Sequence, residues 1–280
     1  MRIGETCARW RSCPARDREE ADTGIADERC NRRANLLKYT ITVSAALRPV
    51  AGIPGEGGFR DTMVKIRPYT FLHYNTAKAA RGARGLADVL CPPYDVVAPD
   101  LERRLKRNPR NFLHLELPSG SGEERYRGAR DLLLRWKRQS LLVRDAAPCL
   151  YVHRCIFRAP GTGGAMMTRY GLMTLVGLDP SYRTILPHER TKPKPVADRL
   201  HMLHALRAQT SAVFCLVEDP GRRFLARLAS QCSKRRPDMM ARNTDGGSDA
   251  WFRVESPETV AWLMEYLRPR KLCIADGHHR

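Results

Sequence analysis

The sequence predicts an α+β fold in which a mixed or antiparallel sheet is flanked by helices. Two β-rich runs, at 149–158 and 168–178, are separated by a glycine-rich loop, which is the pattern of an antiparallel hairpin. Residues 123–139 place their apolar side chains on one helical stripe. Residues 212–218 form a continuous apolar run, which is typical of a buried strand.

The elements ahead of the hairpin follow from local signals. A strand is predicted over 64–69, where the chain becomes regular after Met63. Pro99 marks the start of a short helix, because a proline at an early helical position has no N–H bond to lose. The alternation of side chains over 112–117 predicts a further strand.

The elements after the hairpin are predicted in the same way. Residues 196–208 form a helix, and 271–275 form a short strand. The polar, glycine-rich stretch between them at 234–249 is predicted to be a surface loop. Ser256 is the expected N-cap of a last helix, with Pro257 at its first position.

The first 62 residues differ from the rest of the chain. They show little periodicity, and the stretch 51–58 has the composition of a flexible linker. We therefore expect residues 1–62 to be a poorly ordered extension and linker, and residues 63–280 to be one α+β domain. We expect this domain to be truncated and incomplete at the C-terminus, because the strand at 271–275 runs into a polar turn where the sequence stops.

Composition narrows the class of protein. The chain has 280 residues, of which 42% are hydrophobic, so it can build a sizeable core. It has no run of about 18 apolar residues and no secretory signal, so no membrane partner is expected. The nine cysteines form no CxxC pair, which argues against a zinc ribbon or a disulfide framework and favours a reducing, cytoplasmic location.

The net charge of +19 suggests nucleic acid as a partner. However, the excess is carried mostly by arginines that are dispersed along the chain rather than grouped in a block. Nucleic-acid binding is therefore possible but not favoured.

The motif with the clearest chemistry follows the strand at 271–275. Asp276 and Gly277 are followed by His278, His279 and Arg280. A glycine lets the backbone approach a phosphate closely, and an arginine supplies a planar donor fork. The alternative is a solvated polar turn after a core strand. We predict no metal site here, because adjacent histidines point in different directions and no third ligand lies at helical spacing.

Two other loops carry polar side chains. His188, Glu189 and Arg190 lie between prolines, and a carboxylate beside a histidine and an arginine can act as a general base or hold a metal–nucleotide. A charged loop that caps the next helix is an equal alternative. Pro92 and Pro93 lock an extended turn that presents Tyr94 and Asp95, unless the turn is only structural.

Taken in order, these motifs resemble the family called domain of unknown function 1015, over roughly 63–280. The matching pieces are Ile66-Arg67-Pro68, Pro92-Pro93-Tyr94-Asp95-Val96, Leu186-Pro187-His188-Glu189-Arg190-Thr191 and Ile274-Ala275-Asp276-Gly277-His278-His279-Arg280. Members of that family normally continue past the last motif, so the resemblance also implies that this chain is truncated.

The last motif is also similar to the phosphate-binding box of the ParB/sulfiredoxin superfamily, some members of which are kinases of free serine. This similarity implies ATP or ADP with Mg²⁺ as cofactor. It also implies that the nucleotide phosphates are bound by Gly277, His278, His279 and Arg280, and Arg190 of the other loop is a further candidate for phosphate binding.

The similarity to serine kinases implies phosphoryl transfer to a small metabolite. Glu189 or Asp276, with His188 beside them, would then deprotonate a small hydroxyl substrate while Mg²⁺ offsets the phosphate charge. Tyr94 and Asp95 are candidates for the substrate side of the site. Two alternatives stay open: a non-catalytic, ParB-like module associated with nucleic acid, and an inactive truncated fragment.

Overall fold

The structure, a computed structural model, describes the backbone of residues 39–45 and the whole of residues 63–80, 82–159, 161–243 and 245–280. The strands are β1 (Tyr39–Ala45), β2 (Ile66–Arg67), β3 (Leu72–Tyr74), β4 (Leu142–Arg144), β5 (Leu150–Arg158), β6 (Met166–Val176), β7 (Ile185–Leu186), β8 (Val213–Val217), β9 (Met239–Arg242), β10 (Ser248–Val254) and β11 (Leu272–Asp276). The α-helices are α1 (Thr76–Ala79), α2 (Pro99–Lys106), α3 (Leu113–Glu116), α4 (Gly122–Arg138), α5 (Pro193–Leu206), α6 (Arg223–Cys232) and α7 (Pro257–Leu267).

The centre of the fold is a nine-stranded sheet with the order β7-β11-β8-β1-β6-β5-β10-β9, in which β2 also pairs with β6. Its neighbours are antiparallel except for the β1–β6 and β7–β11 pairs, and β3 and β4 form a separate two-stranded sheet. The predicted α+β class with a mixed, mainly antiparallel sheet is therefore confirmed. The predicted hairpin is the antiparallel pair β5–β6.

One core lies between this sheet and the two helices α6 and α7. Phe224 and Leu228 of α6 and Leu263 of α7 are fully buried, in the same cluster as Leu172 of β6 and Phe252 of β10. Burial of each such side chain contributes about 1.5–3 kcal/mol. The sheet that carries the candidate site therefore rests on a well-packed layer.

A second core joins helices α3, α4 and α5. Leu115 of α3, Trp136 of α4 and Met202 of α5 are buried together with Tyr74 of β3. This packing fixes α3 beside α5 and so determines where their polar side chains meet.

The predicted strand over 112–117 is wrong, because this segment is helix α3. Asn111 is fully buried, and its side-chain oxygen accepts a hydrogen bond from the N–H of Leu113 at 3.0 Å, which starts a helical turn. Leu113 and Leu115 are both buried, so the alternation reflects burial within a short helix rather than one face of a strand.

The predicted surface loop over 234–249 is also wrong in part. Residues Met239–Arg242 form β9, which pairs antiparallel with β10, and Ala250 lies opposite Met240. The two methionines and Ala241 supply enough apolar surface for an edge strand, which the polar residues around them obscure in the sequence.

The last helix begins as predicted: the Ser256 hydroxyl accepts a hydrogen bond from the N–H of Thr259 at 3.3 Å, and Pro257 is the first residue of α7.

Within the predicted extension 1–62, residues 39–45 form β1 between β6 and β8. The rest of that range lies outside the described residues, so the division at Met63 stays a prediction. In the described part of the chain, no helix is long and apolar enough to cross a membrane.

Candidate functional site

The site begins with the parallel pair β7–β11, in which Leu272 lies opposite Ile185 and Cys273 opposite Leu186. Parallel strands end at the same edge of a sheet. The residues that follow β7 and those that follow β11 are therefore brought to one place, although helices α5, α6 and α7 lie between them in the sequence.

Glu189 and His278 are in direct contact at this edge, through Oε1 of the carboxylate and Nε2 of the ring. The Nε2 atom of His188 lies 3.8 Å from the other carboxylate oxygen. The two imidazole rings meet edge to face, with centroids 5.2 Å apart. The structure thus joins two motifs that the sequence presents separately, and we call these three residues the His-Glu-His cluster.

The loop ahead of β7 is held by Asp179. Its carboxylate accepts hydrogen bonds from the N–H of Thr184 at 2.6 Å, from the Thr184 hydroxyl at 2.8 Å and from the N–H of Ile185 at 3.2 Å. Desolvation alone would raise the pKa of Asp179, but these bonds and that from Ser181 hold it far below its usual value. Asp179 therefore stays ionised and fixes the strand that leads to His188 and Glu189.

The turn after β11 requires glycine at position 277. The φ angle of Gly277 is +78°, and an added Cβ would lie 3.2 Å from Cα of Val213 and 3.2 Å from Nη1 of Arg280. The N–H of Gly277 donates to Oδ1 of Asp276 at 2.7 Å, and the N–H of Arg280 donates to the Gly277 carbonyl at 3.1 Å. These bonds close a tight turn against β8.

The two histidine rings of the turn lie close together, with centroids 4.0 Å apart and planes inclined at 57°. The Nδ1 atoms of His278 and His279 are buried and have no hydrogen-bond partner among the described residues. Burial lowers the pKa of His279, and the neighbouring His278 adds to the effect. The turn therefore has two ring nitrogens that are available to bind a ligand.

Arg280 is directed inward rather than toward solvent. Its Nη2 donates to Oε1 of Glu116 at 3.0 Å and contacts the hydroxyl of Ser211, which itself donates to the same carboxylate oxygen at 2.9 Å. Arg199 places Nη1 3.6 Å from that oxygen and donates to the Glu116 carbonyl. We call Glu116, Arg199, Ser211 and Arg280 the Glu116 cluster. It sets two guanidinium groups against one carboxylate that is only 2% exposed.

The Tyr94 motif joins this cluster. The Tyr94 ring faces the guanidinium of Arg199, with Cζ 4.3 Å from the ring centroid, and that of Arg280 at 5.8 Å. Burial raises the pKa of the nearby Cys91 thiol to about 12, and Glu116 adds to the rise. Cys91 is therefore protonated at neutral pH, which argues against a role as a nucleophile.

Some of the predicted site residues meet in the structure, and others lie apart from them. His188, Glu189 and His278 are in mutual contact, and the ring of His279 packs at a tilt against that of His278. Gly277 and Arg280 form the turn beside them. Asp276, Asp95 and Arg190 are exposed. Among the described residues, neither Asp95 nor Arg190 makes a hydrogen bond or ion pair with the two clusters.

Sequence analysis missed Glu116, Arg199 and Ser211. Glu116 lies in the segment that was predicted to be a strand, and its burial depends on the packing of α3 against α4. Arg199 is one of many arginines in the chain. The only sequence signal is that Glu116 is the one acidic residue at 112–117, a stretch that is otherwise apolar except for His114.

The fold and site define an α+β domain with a polar cluster at one edge of its sheet. The profile of the family described as Protein of unknown function (DUF1015) matches residues 66–280. The chain belongs to this family, as its motifs predict. No curated protein and no solved structure matches the chain.

Proposed function

We propose that this protein binds the phosphates of ATP or ADP, with Mg²⁺, at the turn formed by residues 277–280. The proposal includes transfer of a phosphoryl group to the hydroxyl of a small metabolite. The contact between Glu189 and His278 carries it, because groups that catalyse one reaction must reach one substrate. A phosphate-binding turn and a carboxylate that could act as a base lie at the same edge of the sheet.

The turn has the features that favour an anion. Gly277 has a positive φ, and no described residue accepts a hydrogen bond from the N–H of His278 or His279. Consecutive N–H groups of this kind form anion-binding concavities. Arg199 and Arg280 add positive charge in excess of Glu116.

The carboxylates support the catalytic part of the proposal. Glu189 contacts His278, and Asp276 accepts a bond from the N–H of Gly277, so both flank the turn. Either can take the proton of a substrate hydroxyl, a role that contributes about 10²–10⁴-fold to a rate. His188 orients Glu189, and Tyr94, which faces Arg199 and Arg280, lies on the substrate side.

Equilibrium binding of ATP, ADP and CTP with Mg²⁺ tests the proposal, with Gly277→Ala as the variant. Its Cβ would press on Val213 and on Arg280, so we expect at least about a tenfold loss of nucleotide affinity. Gly221→Ala is the matched control, because Gly221 has a φ of +71° and no atom within 4 Å of the added Cβ. Circular dichroism checks that both variants fold. The proposal fails if the wild-type protein binds no nucleotide, or if both variants bind it equally.

The net charge of +19 is the one observation behind a second function, a non-catalytic module that binds nucleic acid, although the dispersed arginines make it the less favoured of the two. Duplex DNA added in the same assay distinguishes the two. Binding of DNA without nucleotide, with an affinity that falls steeply with log salt, would support the second function. Binding of neither ligand would favour an inactive chain.

A further inference from the structure

We propose that His188, Glu189 and His278 bind one divalent transition-metal ion of the zinc class. Each of the three residues offers one ligand atom, and these atoms all lie within 4.8 Å of one another. In a tetrahedral site with bonds of about 2.0–2.1 Å, ligand atoms lie about 3.4 Å apart. His188 and Glu189 are exposed, so small rotations of these two side chains can bring them to that spacing from the half-buried His278.

The backbone holds the three ligands in place. His188 and Glu189 follow β7, and His278 follows β11, and these two strands are paired in fixed register. Asp179 fixes the start of β7, and the bonds around Gly277 fix the turn. The ligands therefore come from two anchored segments rather than from one mobile loop, which favours a preformed site.

The position of Glu189 also favours a metal. His278 approaches one of its carboxylate oxygens and His188 approaches the other, at 3.8 Å. Two imidazoles and one carboxylate that converge in this way are a common set of ligands for zinc in enzymes, in which a fourth position stays open for water or substrate. The side chain of Glu189 is 51% exposed, so that open position can face solvent.

The donor atoms determine which metal is expected. Imidazole nitrogens suit zinc, cobalt and nickel, whereas Mg²⁺ and Ca²⁺ prefer oxygen ligands. This site is therefore distinct from that of the Mg²⁺ that accompanies a nucleotide, and with zinc bound to Glu189 the carboxylate left to act as the substrate base is Asp276. The sequence-based prediction of no metal site considered His278 and His279 and sought a third ligand at helical spacing. In the structure the partners of His278 are His188 and Glu189, which come from the other motif.

Metal alone tests the inference, so its outcome does not depend on nucleotide binding. The metal-free full chain is titrated with Zn²⁺, with Co²⁺ as a spectroscopic probe and with Mg²⁺ in parallel. We expect one Zn²⁺ at the cluster, and weaker binding of Mg²⁺. The variants His188→Ala, Glu189→Gln and His278→Ala should each lower zinc affinity by more than the roughly 10–100-fold that loss of an outer-shell partner costs.

His201→Ala is the matched control, because His201 lies 3.4 Å from Glu123 in another exposed pair of histidine and carboxylate. It should leave zinc affinity unchanged, and circular dichroism checks that every variant folds. A triple variant combines His188→Ala, Glu189→Gln and His278→Ala. The inference is overturned if this variant binds as much Zn²⁺ as the wild type, which would place the ion at cysteines or elsewhere. Equal affinities for Mg²⁺ and Zn²⁺ would also overturn it.

Discussion

The guanidinium of Arg280 lies 3.0 Å from the carboxylate of Glu116, although the two residues are 164 positions apart in the sequence. Arg199 approaches the same carboxylate from helix α5, and Ser211 donates to it from the start of β8. This contact ties the turn after β11 to helix α3. It explains how a short polar turn is held in one conformation beside the His-Glu-His cluster.

Removal of Glu116 should destabilise the fold strongly. Glu116→Ala would leave the guanidiniums of Arg199 and Arg280 without their shared buried partner, at a cost of about 3–5 kcal/mol. Urea unfolding measures the change in the free energy of unfolding. Glu265→Ala is the control, because Glu265 pairs with Arg268 at the surface and its removal should cost about 1 kcal/mol or less. Equal costs for the two variants would contradict the role given to Glu116.

Stability at acid pH should depend on Asp145. Its side chain is fully buried, and it accepts hydrogen bonds from Tyr151 at 2.7 Å and from the N–H of Phe71 at 2.9 Å. Burial alone would raise the pKa of Asp145, but the bonds from Tyr151 and Arg253 outweigh it and lower the pKa below its usual value. The folded state therefore favours the ionised form.

The sign of the pH effect follows from this shift. The stabilisation is fully present above the unfolded pKa of about 3.9 and is lost as pH falls through the lower folded pKa. The free energy of unfolding of the wild type minus that of Asp145→Asn should be largest near neutral pH and should shrink below about pH 4. A difference that stays constant over this range would show that the charge of Asp145 contributes nothing.

The loop ahead of β7 should loosen when Asp179 is replaced. Asp179→Ala leaves the N–H groups of Thr184 and Ile185 without their acceptor, at a cost of about 1–3 kcal/mol. Hydrogen–deuterium exchange should become faster at these two amides. Asp219→Ala is the comparison, because Asp219 accepts from the N–H groups of Phe224 and Leu225 and from the Tyr266 hydroxyl. Its loss should affect α6 and α7 and leave the two amides ahead of β7 unchanged. Unchanged exchange at Thr184 and Ile185 would contradict this prediction.

The sequence allowed about half of the regular elements to be predicted, because periodicity and capping act locally, whereas β10 and α6 are among those missed. The hairpin β5–β6 and the start of α7 at Ser256 are examples. Helix α3 and strand β9 were not predicted, because each depends on partners distant in the sequence. Asn111 starts α3 within a buried turn, and β10 supplies the hydrogen bonds of β9.

The candidate site was predictable only in part, for the same reason. His188, Glu189 and His278 stand in short polar motifs after strands, which local sequence reveals. That these motifs meet depends on the parallel pairing of β7 with β11. Glu116 has only a weak local signal and Arg199 has none, because their contact arises where α3 and α5 both pack on α4.

A double-mutant cycle on nucleotide affinity tests most directly whether the loop after β7 and the turn after β11 form one site. ATP binding with Mg²⁺ is measured for the wild type, Glu189→Gln, His278→Gln and the double variant. Residues in contact within one site should show a coupling energy of about 0.5 kcal/mol or more, so we expect the two single effects not to add. Strict additivity, or no ATP binding by the wild-type protein, would contradict a shared nucleotide site.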